Sequence, residues 1–224
     1  MASENCVYIV EHIEPVSYGD RMSIDISDWK VTPKHMLSDF SLPLNLKTKI
    51  TIFFERIDGW QLNVADKLIN GVRDESGKIV DFSESAYAVL HIVLSFFEMI
   101  AKYYHGYTGN KSKYYFKEGV RLIFPDLKQH PDKQAVDQLL DDLYSGVRCG
   151  LYHYSFTSTR VFIRNDICGA IGITRQRKLL INPQILVRHL RGFLQSYVED
   201  LRNVNNNTLR QNFEKRFDFD NRLK

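Results

Sequence analysis

At 224 residues the chain suits one domain with extensions better than two domains. Hydrophobic residues make up 44%, enough for a core, while the formal net charge of +3 lacks the basic bias of a dedicated double-stranded DNA binder. Cys6, Cys149 and Cys168 are odd in number and without metal-type spacing, which argues against a secreted disulfide framework and for a reducing compartment. No basic and apolar leader opens the sequence, so no signal peptide is expected. The apolar run over 86–100 is interrupted by His91, Ser95 and Glu98 and reads as too short and polar to span a membrane. A soluble cytoplasmic protein is the expectation.

Residues 1–43 read as an irregular N-terminal arm, punctuated by Pro15, Gly19, Pro33 and Pro43, with strand-like fragments over 6–13 and 23–28. From 44 to 72 the pattern turns helical. Ile50, Phe53, Phe54, Ile57, Trp60, Val64, Leu68 and Val72 recur at three- and four-residue steps, and Gly59 is placed to bend the stretch. A charged surface loop over 73–77 follows. Ser83 reads as the cap of a long core helix to about residue 104, with Val89, Ile92, Val93, Phe96, Phe97 and Ile100 as its apolar face. Gly106 and Gly109 stop it. A shorter helix is expected over 114–124, and Pro131-Asp132 leads into another, striped by Val136, Leu139/Leu140, Leu143 and Val147.

After His153 the pattern changes to alternation. Segments 160–164, 167–174 and 178–181 predict a small antiparallel hairpin or meander. Asn182-Pro183 then caps and opens a last helix, with Ile185, Leu186, Leu190, Phe193, Leu194, Tyr197 and Leu201 on its buried face. Residues 203–224 read as a polar C-terminal tail, mobile or ordered only against a partner.

The candidate chemistry sits where the motif helix ends. Arginine offers a permanently charged fork that fits phosphate oxygens, and histidine exchanges a proton near neutral pH. Arg148 and His153 together suit metal-free RNA cleavage: a base assists attack by the ribose 2′-hydroxyl, and the arginine stabilises charge growing on the phosphorus centre. Five positions along a regular helix separate the two, however, and put Arg148 on the face of Tyr152. They converge only if the helix distorts or ends near Gly150, or meets a second copy of itself.

The segment Arg148-Cys149-Gly150-Leu151-Tyr152-His153 resembles the R-x4-6-H motif of HEPN domains in its shortest form. The resemblance extends over 44–202: a long helix with Phe97-Glu98 and Ala101-Lys102, the motif helix, a variable insert and a closing helix from Asn182-Pro183. It implies a mainly α fold, an up-down bundle of four to five helices with a small β-hairpin insertion before the last. It also implies a metal-independent endoribonuclease without cofactor. Such a protein acts on RNA as a homodimer whose two motifs line one cleft, in a toxin–antitoxin or phage-defence setting where a protein inhibitor is a further partner. Arg148 and His153 are then catalytic, supported by Glu98, Cys149 and Tyr152. Cys149 departs from the pattern, because active members often carry a polar Asn, Asp or His there. The alternative is therefore a non-catalytic HEPN module that binds RNA, a nucleotide or a partner protein.

Other residues read as follows. Glu98, inside the most apolar helix, needs a partner, and Arg148 or Lys102 can supply it. His91 is expected to be a hydrogen-bonded core histidine. Arg160, Arg164, Arg175, Arg177 and Lys178, interleaved with Tyr152, Tyr154 and Phe162, form a candidate RNA-contacting rim, continued by Arg188 and Arg191. Gly109-Asn110-Lys111-Ser112 lacks the upstream glycine of a phosphate loop and reads as surface. No metal site is expected.

Overall fold

The computed structural model describes residues 30–80 and 85–221. The strand-like fragments over 6–13 and 23–28, most of the N-terminal arm and the Ser83 cap lie outside the described residues. The described chain is mainly helical with two small sheets.

The first long helix is two α segments joined by a π-helical turn. Asn45 caps α1 (Leu46–Ile57) by accepting from the Thr48 N–H at 3.0 Å. The π turn covers Asp58–Leu62, and α2 (Asn63–Asn70) ends at Gly71. A π turn inserts a residue and rotates the apolar stripe. Ile50, Phe53 and Ile57 are buried before it, Leu62 at its end and Ala65 after it, while Trp60 and Val64, expected on the stripe, are exposed. Gly59 sits in this turn because the chain passes close by: a Cβ there would lie 2.4 Å from the Pro33 ring.

The expected surface loop is the turn of a minimal hairpin, β1 (Val72–Arg73) with β2 (Ile79–Val80). The core helix α3 (Ala86–His105) follows, stopped by left-handed Gly106, whose N–H donates to the Lys102 carbonyl. Among the described residues α3 alone is long and apolar enough, by length and composition, to cross a membrane. Val89, Leu90, Val93, Phe96, Phe97 and Ile100 are fully buried, packed among α2, α4 (Ser112–Ile123), α8 (Pro183–Arg202) and α9 (Asn207–Asn221), which is the setting of a core helix. The α3–α4 contact is tight at Gly119, where any Cβ would fall 1.7 Å from the Phe97 carbonyl oxygen.

A short α5 (Asp126–Gln129) leads to α6 (Lys133–Asp142), capped by Asp132 through the Ala135 N–H at 2.9 Å. A second π turn, Leu143–Cys149, runs directly into α7 (Gly150–Tyr154). Three strands follow: β3 (Val161–Ile163), β4 (Ile171–Ile173) and β5 (Leu179–Ile181). Their order is β3-β5-β4. Only β4 and β5 form an antiparallel hairpin, and β3 pairs with β5 in parallel, so the expected all-antiparallel insertion is a mixed sheet. Asn182 braces this arrangement. Its buried side-chain amide donates to the carbonyls of Asn165 (3.1 Å) and Ile167 (3.0 Å), tying the β3–β4 crossover to the end of β5. Its oxygen meanwhile caps α8 by accepting from Ile185 N–H at 3.1 Å.

The polar tail is a structural helix. Phe213 and Phe217 of α9 are buried, and Phe213 meets Phe53 edge-on at 5.4 Å and Tyr103 at 5.6 Å. Half-buried ion pairs hold the flank: Lys49 reaches Glu214 at 3.1 Å and Asp218 at 2.8 Å. Composition hid this helix, because two phenylalanines four residues apart suffice to dock an otherwise polar segment.

Candidate functional site

Arg148 lies in the second π turn, so the distortion that the motif calls for precedes Gly150, whose own backbone is ordinary right-handed helix. The guanidinium stands 5.6 Å from the Tyr144 ring centroid and 5.3 Å from that of Tyr152, between two aromatic faces. The expected pairing of Arg148 with Tyr152 is met. Across from it on α3, Glu98 lies 3.7 Å from Arg148 Nη2, too far for a hydrogen bond. Arg148 makes no hydrogen bond among the described residues. It is a partly shielded cation, 28% exposed, oriented by rings and a carboxylate with its donors uncommitted.

Glu98 is the hub. It accepts from Lys102 Nζ at 2.6 Å and from Ser112 Oγ at 2.5 Å, and Tyr144 OH donates onward to Ser112 at 3.5 Å. Burial pushes the Glu98 carboxyl up, but the hydrogen bonds from Lys102 and Ser112 and the charges of Lys102 and Arg148 outweigh it, leaving it below its ordinary value. Two residues from α9 complete the surroundings. Arg216, ion-paired with Asp220, lines with it a cleft of about 190 Å³ that also contains Glu98, Met99, Lys102 and Arg148. Neither is legible as a site residue in the sequence, since both lie more than 60 positions from the motif in a segment that reads as tail.

His153 is elsewhere. It is exposed near the C-terminus of α7, with the rings of Tyr152 at 5.4 Å and Tyr154 at 6.3 Å beside it. Among the described residues no hydrogen bond or ion pair joins it to Arg148. Cys149 is a half-buried free thiol. His91, expected in the core, is exposed, because the buried arc of α3 passes through Leu90 and Val93 instead.

The sheet docks on the motif helix through two glycines. Ser158 N–H donates to the Gly146 carbonyl at 2.9 Å, and the Phe156 carbonyl oxygen would lie only 2.8 Å from a Cβ on Gly150. This seats the basic rim beside the motif. Arg160, Arg175 and Arg177 are exposed, and Lys178 Nζ lies 4.9 Å from the Phe162 ring centroid. Arg164 instead pairs in bidentate fashion with Asp166. Arg191, expected to extend the rim, turns into the bundle and faces Asp58 at 3.3 Å and Asp66 at 3.8 Å.

Among the described residues no three His, Cys, Asp or Glu side chains cluster as metal ligands. What the site offers is an oriented arginine, a second cation on a shared carboxylate, an exposed imidazole five positions further along the chain and a basic, aromatic flank. No protein-family model matches the chain, and comparison with curated proteins and with solved structures finds no significant match.

Proposed function

We propose that the chain is an HEPN-type, metal-independent endoribonuclease whose site is completed by a second copy. One observation carries the reading: Arg148 is oriented on three sides yet keeps its N–H donors free, five residues before an exposed histidine. Oriented cations are effective where charge develops, because they need no reorganisation as the reaction proceeds. His153 accepts the 2′-hydroxyl proton as that oxygen bonds to phosphorus. The P–O5′ bond breaks, a proton is returned to the departing 5′ oxygen, and a cyclic phosphate and a 5′-hydroxyl remain. Glu98 positions Arg148 rather than touching RNA. The separation of Arg148 from His153 within one chain supports a composite site, in which the imidazole serving one arginine comes from the other copy.

A second reading has its own support. Cys149, and the lack of a hydrogen bond or ion pair between Arg148 and His153 among the described residues, favour a module that binds RNA without cutting it.

Purified full-length protein incubated with mixed-sequence single-stranded RNA separates the two. Arg148→Ala and His153→Ala should each slow cleavage at least about 100-fold with thermal stability retained. Mixing the two inactive variants should restore cutting if the site is composite. Wild-type dimer that binds RNA and never cuts it leaves the second reading standing.

A further inference from the structure

The geometry points to a base-stacking track for single-stranded nucleic acid, formed by Tyr152, Tyr154 and Phe156 and leading to Arg148; we infer it from a file of exposed rings set in the one strongly basic part of the chain. From the Arg148 guanidinium the file runs to Tyr152 at 5.3 Å, then to His153 at 5.4 Å, Tyr154 at 6.3 Å and Phe156 at 6.1 Å, each step measured between neighbouring groups. Tyr152, Tyr154 and Phe156 are 72%, 68% and 62% exposed. Large aromatic side chains clustered at this exposure mark a binding surface more often than chance.

The backbone that carries the rings is held in place. Ser155 adopts φ 61°, and its N–H donates to the Leu151 carbonyl at 3.0 Å, closing α7. The Phe156 carbonyl packs on Gly150, Thr157 is buried, and Ser158 is bonded to Gly146. A platform held this way gives up little freedom when a ligand stacks on it.

Charge selects the occupant. Residues 143–181 carry six Lys and Arg against one acidic residue, Asp166, which leaves 24 basic and 26 acidic residues for the rest of the chain. The protein's entire positive excess therefore lies around the rings. Aromatic faces take any unpaired base while neighbouring cations follow the phosphates, and bases inside a duplex are not available to stack.

The inference rests on the RNA-directed reading above but not on cleavage. The test is fluorescence anisotropy of the otherwise wild-type protein with a labelled 12-nucleotide single-stranded RNA, the same RNA as a duplex, and an abasic strand of equal length, each 2′-O-methylated so that no 2′-hydroxyl can attack and the probe stays intact. Binding should favour the single strand. Tyr154→Ala and Phe156→Ala should each weaken it about tenfold. Tyr154→Phe should restore it, because the ring rather than the hydroxyl stacks. The abasic strand should be nearly blind to the substitutions. Equal single-strand affinity in the Ala variants overturns the track and leaves cleavage, measured separately on unmethylated RNA, to stand or fall alone. Loss of self-association with RNA affinity unchanged also overturns it and assigns the rings to a protein contact. RNA bound through the rings and never cut retains the track and removes the enzyme.

Discussion

Phenylalanines of the bundle such as Phe96, Phe97, Phe116 and Phe213 are fully buried, whereas the rings that follow Arg148 project into solvent. The charge divides the same way, with the bundle balanced between basic and acidic residues and residues 143–181 strongly basic. In the bundle, helices approach closely enough that Gly119 admits no side chain, and buried area supplies the stability. In the motif segment, backbone contacts at Gly146 and Gly150 hold the chain in place and the side chains stay outside. One region spends its aromatics on folding, and the other keeps them for contact with something else.

The largest expected effect tests whether α9 belongs to the bundle. Phe213→Ala should cost about 3–5 kcal/mol in urea unfolding, the range for a fully buried phenylalanine. A change under about 1 kcal/mol would return residues 207–221 to the status of a loose tail.

Next comes the joint between the two regions. Asn182→Ala removes a helix cap and leaves two carbonyls without their donor, so about 2 kcal/mol should be lost. Hydrogen exchange should rise first over 165–181 while α3 remains protected. Uniform loss of protection would mean that sheet and bundle unfold as one unit.

The smallest effect concerns Glu98, where the bundle holds the motif arginine. Its carboxyl titrates below the ordinary glutamate value of 4.5, so folding favours its ionised form. The stabilisation is complete above the unfolded value and disappears as pH falls through the lower folded one. Glu98→Gln should cost about 1 kcal/mol near neutrality and flatten the acid limb of the stability curve below about pH 4.5. If Glu98 also positions Arg148, cleavage by Glu98→Gln should fall while RNA affinity changes little. An unchanged rate would make the hub purely structural.

Much of the framework was legible. The 3.6-residue stripe located α3 and α8, and Asn182-Pro183 marked the start of α8 to the residue, because caps and periodicity are local signals. The pairing of Glu98 with Lys102 and Arg148 followed from a carboxylate in an apolar helix that needed cations. The strand order was not legible: β5 pairs with β3 in parallel across an intervening strand, a long-range choice that the alternation of each strand does not encode. The phase slips at Asp58–Leu62 and Leu143–Cys149 were equally hidden, since a π turn inserts one residue without any required residue type.

The sequence by itself determined the helical scaffold, the placement of an arginine and a histidine at one helix end, and the basic, aromatic composition after it. Tertiary structure decided that Arg148 faces Glu98 while His153 faces solvent, that α9 brings Arg216 and Asp220 to the same cleft, and that the exposed rings form a file. Those outcomes depend on how π turns rotate side chains and on which distant segments find room to pack. Both are settled by contacts among residues far apart in the chain, which local pattern does not carry.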